Sequence, residues 1–266
     1  MTRPTFAIGL LVLFVNASMA QAQISASPTR DPRALALIAT SLKALAPAAP
    51  LSDIRLEATV TYTAGSDEQA GTAALEAIAD SASNVTLSLS GGRREEIRNG
   101  QAGQWTGSDS TPHAMATHNC WTDAAWFSPA LVLQEIANDP TMAVTYAGAG
   151  THSGVPVQEI LVWRATSKRG RGLGPVVQRL TTEALYFDGT GLPVALDFTA
   201  HPDKDLDVNI AVEIQYGDYQ KTAGVLTPTV IRKLVNNSPL LVFNVTAVAA
   251  NTNLPAGDFV VIAQQP

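Results

Sequence analysis

His118 and Cys120 lie two residues apart, a spacing that puts imidazole and thiol on one face of a strand, as a nucleophile and its base would need. Working Cys–His pairs draw on distant segments and a third, orienting group, so the two residues alone read as a lone, partly buried thiol beside a histidine. Cys120 is the only cysteine, which excludes a disulfide within the chain. The histidines His113, His118, His152 and His201 are scattered without ligand spacing, and neither a metal nor a cofactor is expected. Asp203, Asp205 and Asp207 alternate as in a calcium loop, but the glycine at the sixth position and the glutamate at the twelfth are missing, so a solvated hairpin loop is the better reading. Gly170, Gly172 and Gly174 follow no strand-to-helix phosphate pattern. There is no Gly-x-Ser-x-Gly elbow, zinc motif or evident carboxylate pair, and no catalytic residue is assigned.

What remains is apolar. Trp121, Trp126 and Phe127 cluster just before a helix signal in a chain with only 6% aromatic residues. They read either as ordinary core or as the lining of an apolar pocket. With Leu131 on the helix that follows and Val242 and Phe243 on the last strand, they form the candidate ligand-binding set.

The elements that position them follow from capping and periodicity. Asp31-Pro32 supplies an N-cap and first helical position, and Leu35, Ile38, Leu42 and Leu45 form one stripe closed by Pro47 and Pro50. Ser128-Pro129 opens a second helix through Leu131, Leu133 and Ile136 to Asn138-Asp-Pro140. Ile54–Tyr62 alternates cleanly as a first strand, and shorter strands follow at 71–78, 85–90, 93–98 and 104–106. Residues 100–120 are a polar, turn-rich excursion, 142–146 and 155–165 are further strands, and 167–175 is a loop. The last third, Gln178 to Val248, reads as five strands joined by short turns. Asp188-Gly-Thr-Gly191 tolerates positive φ and joins 180–188 to 193–199; Val208, Ile210, Val212, Ile214 and Tyr216 then fall at even positions of one strand. Pro228 cannot donate to a ladder, so its strand needs an edge or bulge there. Leu241, Val242, Phe243 and Val245 put apolar groups on both faces of the last strand, the pattern of a strand covered on two sides.

Helix 33–45 followed at once by strand 54–62, then Tyr186-Phe-Asp-Gly-Thr-Gly-Leu-Pro-Val194, Val212-Glu-Ile-Gln-Tyr-Gly-Asp-Tyr219 and Gly224-Val-Leu-Thr-Pro228, resemble the superfamily of periplasmic lipoprotein and lipid carriers of the LolA, LolB and LppX type. The resemblance is good over the last 80 residues and loose over about 60% of the chain after residue 22. It implies an α+β fold: a strongly curved antiparallel sheet, an open half-barrel of about 11 strands, wrapped over two or more helices with an apolar cavity between. It also implies a soluble, non-catalytic carrier of a lipid or a lipoprotein acyl chain, or, as in the related RseB branch, a ligand sensor or scaffold that binds another protein. Each buried methylene is worth about 0.8 kcal/mol, so a chain of about 14 carbons needs roughly 10 kcal/mol of replacement apolar contact. Only a lined cavity supplies that. A secreted hydrolase is the third class, without a motif in its favour.

Met1–Ala22 has the form of a secretion signal, with Arg3 as its one charge, an apolar run from Phe6 to Val15 and a small-x-small site at Ala20-Gln-Ala22. The run is too short to span a bilayer. The expected product is a single half-barrel domain, 23–266, in the periplasm or outside the cell. Removing residues 1–22 takes one arginine from 17 basic residues and none of the 23 acidic ones, which leaves a net charge of −7. Phosphate binding needs clustered Lys and Arg, so nucleic acid is excluded as a partner. Lys168-Arg-Gly-Arg171 is the sole basic cluster. It suits a solvated loop tip, with a membrane surface or a partner protein as the alternative contact. The expected partners are an apolar small molecule, a lipid or an acylated protein.

Overall fold

The computed structural model describes residues 28–79, 82–166 and 173–263. The signal Met1–Ala22 and the cluster Lys168–Arg171 lie outside the described residues.

Helix α1 (Pro32–Leu45) begins as its capping residues require. The Asp31 carboxylate accepts hydrogen bonds from the N–H groups of Arg33 (2.7 Å) and Ala34 (3.2 Å), and Pro32 occupies the first turn. Its buried line is Ala34, Ile38, Ser41 and Leu45, with Leu35 and Leu42 half-buried beside it. Strands β1 (Asp53–Ala64), β2 (Asp67–Ile78), β3 (Ala82–Leu89), β4 (Gly92–Asn99), β5 (Ala102–Thr106) and β6 (Pro112–Ala114) form an antiparallel meander. After a 3-10 turn at Thr117–Cys120 come helix α2 (Pro129–Asn138), β7 (Met142–His152), β8 (Val155–Arg164) and helix α3 (Leu173–Thr181). A second meander completes the chain: β9 (Glu183–Phe187), β10 (Pro193–Ala200), β11 (Ile210–Thr222), β12 (Val225–Val235) and β13 (Ser238–Ala250).

All 13 strands belong to one antiparallel sheet of order β6-β5-β4-β3-β2-β1-β13-β12-β11-β10-β9-β8-β7, not closed into a barrel. The first and last strands, β1 and β13, pair at its centre, with Val60 opposite Phe243. Its two edges, β6 and β7, are joined by the stretch that carries Trp126, Phe127 and α2. Side chains of that stretch share one core with the inward residues of both meanders, among them Leu56, Leu75, Leu185, Ile214, Ile231 and Phe243. The α+β half-barrel implied by the resemblance is therefore the architecture found, with three α-helices among the described residues.

Several local readings need correction. The excursion at 100–120 contributes the short strand β6, because Trp105 on β5 stacks on His113 at 4.3 Å between centroids. With that strand the sheet has 13 among the described residues, against the expected 11 or so. Residues 173–181 are helical, and β9 starts only at Glu183. Val177 and Thr181 have weak helix propensity, but Leu180 and Thr181 are buried, and Thr181 Oγ1 both donates to the Val177 carbonyl (2.7 Å) and accepts from Arg164 N–H (3.0 Å). The last strand is covered on one face only. Leu241 and Phe243 are buried and Val245, opposite Ala58, packs half-buried against the same core, whereas Val242 points to the outer face. Pro228 sits where the β12–β13 ladder has not begun; β13 pairs with β12 only from Val230 on, so its missing donor falls on a local edge.

Candidate functional site

The apolar face that both meanders turn inward is largely filled by the chain itself. Phe127, Leu133, Phe187 and Phe243 are 0% exposed and Leu131 is 3% exposed. The filling stops at one end of the trough, between the β4–β5 wall and the ends of β10 to β13. There a cavity of about 310 Å³ opens. Trp126 forms its floor, Phe198, Val212 and Leu240 one wall, and Trp105 and Met115 the other. Leu240 reaches this face because the β12–β13 register shifts at Lys233/Leu234, which adds a residue to β13. Trp126 is anchored from behind, its carbonyl accepting from the Tyr216 hydroxyl at 2.5 Å, and its ring meets Phe127 edge-on at 5.6 Å. Burial, reinforced by the charges of Tyr219, Asp123 and Glu183, holds that hydroxyl far above its ordinary range, so it stays a donor.

Two cations border this apolar space. Lys233 lies inward on β12 with its Nζ 4.6 Å from the centre of the Trp126 ring, and among the described residues it forms no ion pair. Arg98 on β4 is 4% exposed and donates to the carbonyls of Thr122 and Asp123 (3.0 Å to the latter), leaving its Nε without a partner. The guanidinium is bonded to neutral carbonyls, and the buried Glu183 carboxylate is among the groups that feel its charge. Glu96 and Asp203 lie on the rim. The site thus combines an aromatic floor, aliphatic walls and two cations, with two acids at the rim.

Of the six residues expected to meet at a ligand, Trp126 alone lines this cavity. Phe127, Leu131 and Phe243 lie in the packed core, Val242 lies on the outer face, and Trp121 lines a separate polar cleft of about 450 Å³ with Cys120, Glu135 and Arg164. In that cleft Arg164 pairs with Glu135 (2.8 Å) and Asp139 (3.5 Å) and donates to the Trp121 carbonyl (3.1 Å). Cys120 is a free thiol in the 3-10 turn, and burial pushes its pKa up, away from nucleophilic use. It packs so closely that a Cβ on Gly103 would stand 2.8 Å from its Sγ.

Sequence spacing gave no sign of two side-chain clusters. Asp123 and Glu183, 5% and 2% exposed, meet where the Asp123 N–H donates to Glu183 Oε1 at 2.7 Å. Burial, then the Glu183 charge, holds the Asp123 carboxyl well above the usual carboxylate range. Neither residue lines a cavity described above, so the pair is part of the core. On the opposite face of the sheet, His152 comes within 3.0 Å of Glu213, with Asp197 beside them. Asp123 lies 60 positions from Glu183 and His152 lies 45 from Asp197 and 61 from Glu213, separations that no local pattern reports.

No family model matches the chain, and no curated protein matches its sequence. Among solved structures it is similar to a LolA superfamily protein from Nitrosomonas europaea, at 10% identity over 86% of this chain and 97% of that one, with a TM-score of 0.54. A DUF1329 family protein from Desulfovibrio piger is similar at 11% identity over 87% of this chain and 98% of that one, with a TM-score of 0.52. Likeness at such identities is likeness of backbone, and it extends over nearly the whole of both structures. The chain has the LolA-like fold.

Proposed function

We propose that this protein is a non-catalytic binding protein that takes an apolar chain with an anionic end into the cavity floored by Trp126. The observation that carries the reading is the unpaired Lys233 beside an aromatic and aliphatic cavity in an otherwise filled trough. Apolar walls supply affinity, and one polar group at a defined place fixes orientation. The volume of about 310 Å³ lies at the low end for small-molecule sites, so the site suits one short acyl chain or the end of a longer one. A secretion signal at Met1–Ala22 and a single domain over 23–266 would put this activity in the periplasm or outside the cell. Carriage of a lipid or acylated protein is the role the fold and the site together support best.

A second reading rests on the packing of Phe127, Leu131, Leu133 and Phe243, which leaves the middle of the trough closed. A scaffold that binds another protein needs no through-going cavity.

The test is fatty-acid uptake followed by native mass spectrometry and Trp fluorescence. Lys233→Met is expected to weaken binding of dodecanoate about tenfold while leaving dodecanol unchanged, because it removes a charge and keeps the apolar stem. Leu240→Trp is expected to abolish both by filling the cavity. A protein that takes up neither probe ends the carrier reading and leaves the scaffold.

A further inference from the structure

The outer face of the second meander carries a cluster that the proposed ligand cavity does not use. Asp197 on β10 lies between the inward-facing Leu196 and Phe198, and Glu213 on β11 between the inward-facing Val212 and Ile214. The two acids are register partners, so both point outward side by side. The tip of the β7–β8 hairpin brings His152 onto them. Its Nε2 is 3.0 Å from Glu213 Oε1, and its ring stacks on Tyr186 of β9 at 4.0 Å between centroids and 23° between planes. Gln215 Nε2 donates to Glu213 Oε1 at 2.8 Å, which fixes that carboxylate in turn. One ligand atom from each of His152, Asp197 and Glu213 can be chosen so that all lie within 4.8 Å of one another.

A further observation is an unmet acceptor within the cluster. Asp197 Oδ1 is shut away from solvent and has no hydrogen-bond partner. A third acid, Glu159 on β8, is the register partner of Tyr186 and adds to the negative field. Three carboxylates thus face a single imidazole.

From this geometry we propose a divalent metal site, suited to zinc, made by His152, Asp197 and Glu213. Zinc bonds of about 2.0–2.2 Å hold neighbouring ligand atoms roughly 3–4 Å apart, so the cluster closes around an ion by rotamer adjustment, without movement of its strands. One imidazole with two carboxylates is a borderline donor set that favours zinc over magnesium or calcium, which take oxygen ligands alone. The fourth position is left to water. Asp197 and Glu213 also line an outer cavity of about 290 Å³, which gives the ion a way in. The bound metal ties the tip of the hairpin that ends in edge strand β7 to two interior strands, and so stiffens that end of the sheet.

Isothermal titration of zinc chloride into the purified protein tests the site. One ion per chain is expected, with a higher Tm and slower hydrogen exchange at 150–156. Asp197→Asn and Glu213→Gln should each weaken binding at least about tenfold. His152→Gln, on the hairpin tip, gives a third loss of binding if either strand variant fails to fold. Absence of stoichiometric binding overturns the proposal, as does undiminished binding in folded Glu213→Gln and His152→Gln variants.

Discussion

Asp123 is the clearest case in which one side chain sets a property of the whole protein. Its carboxyl pKa is raised by burial and by the neighbouring Glu183, so the folded state holds a proton that the unfolded state releases near 3.8. For an acid raised in this way, the stabilising contribution is complete below the unfolded pKa and declines as pH climbs toward the folded one. Asp123→Asn keeps the shape, removes the charge and offers an amide to the unpartnered Glu183 Oε2. It is expected to stabilise the protein by roughly 1–2 kcal/mol at pH 7 and to flatten the rise of stability on acidification, as read by urea unfolding at pH 5 and pH 8. Asp53 works in the opposite sense. Burial pushes its pKa up, but hydrogen bonds from Thr252 N–H, Ser52 Oγ, Thr252 Oγ1 and Asn253 N–H outweigh that and hold it below the ordinary value. Its stabilisation is present above the unfolded pKa and lost as pH falls through the folded one. Asp53→Asn should cost roughly 1–3 kcal/mol at pH 7, with the gap to the parent closing below about pH 4 in thermal melts.

Among the elements, the hairpins carry the most legible chemistry. Asp188 accepts from Thr190 N–H (2.8 Å), Thr190 Oγ1 (2.6 Å) and Leu192 N–H (3.1 Å), while Gly191 takes φ +84°, so the Asp-Gly-Thr-Gly turn is dictated by its own residues. Asn236-Asn237 and Ser153-Gly154 likewise turn with both residues at positive φ. The β11–β12 turn breaks this rule, because Ala223 is held at φ +51° with a Cβ that disfavours that region. Ala223→Asn should stabilise the protein by about 0.5–1 kcal/mol without changing either strand, as measured by Tm and by the amide shifts of 219–228. α1 was equally plain in its cap and its stripe. β6 and α3 were not, since a three-residue strand and a helix of Val and Thr owe their existence to ring stacking and to the buried Leu180 rather than to propensity.

At the scale of the whole molecule, the sheet is held by its middle. β1 and β13 close a loop that runs from Tyr62 to Leu241, and that closure is entropically costly before any contact rewards it. Once formed, the pair lies furthest from both edges. Amide exchange is therefore expected to be slowest in β1, β13 and β12, and fastest in β6 and in the last residues of β7, the outer strands. Uniform protection across the sheet would contradict this arrangement. The tail after β13 adds a clasp on the outer face, where the Asn84 and Asn99 side chains donate to the carbonyls of Asp258 and Phe259 at 2.9 and 3.1 Å.

Local sequence determined what depends on neighbours in the chain. The cap at Asp31, the Ser128-Pro129 helix start, where Pro129 and not a side-chain cap sets the first turn, the period-two run through Val212, Ile214 and Tyr216, the turn residues and the break at Pro228 together specify a helix-decorated antiparallel meander, enough to carry a resemblance to the carrier superfamily. Side-chain direction on strands follows from alternation, so the inward placement of Leu241 and Phe243 was within reach; the outward placement of Val242 was not, because an apolar residue on an exposed face looks the same in sequence as one beneath a second layer. Which aromatics would fill the trough and which would line a cavity was decided by packing. Trp126 meets open space only because the bulge at Leu240 and the strand ends around it leave a gap, and Phe127, one residue on, meets none. The pairing of Asp123 with Glu183, and of His152 with Asp197 and Glu213, was settled in the same way. Charges separated by many residues come together only when the sheet sets their register, and the low dielectric that shifts their pKa values exists only after the core has closed over them.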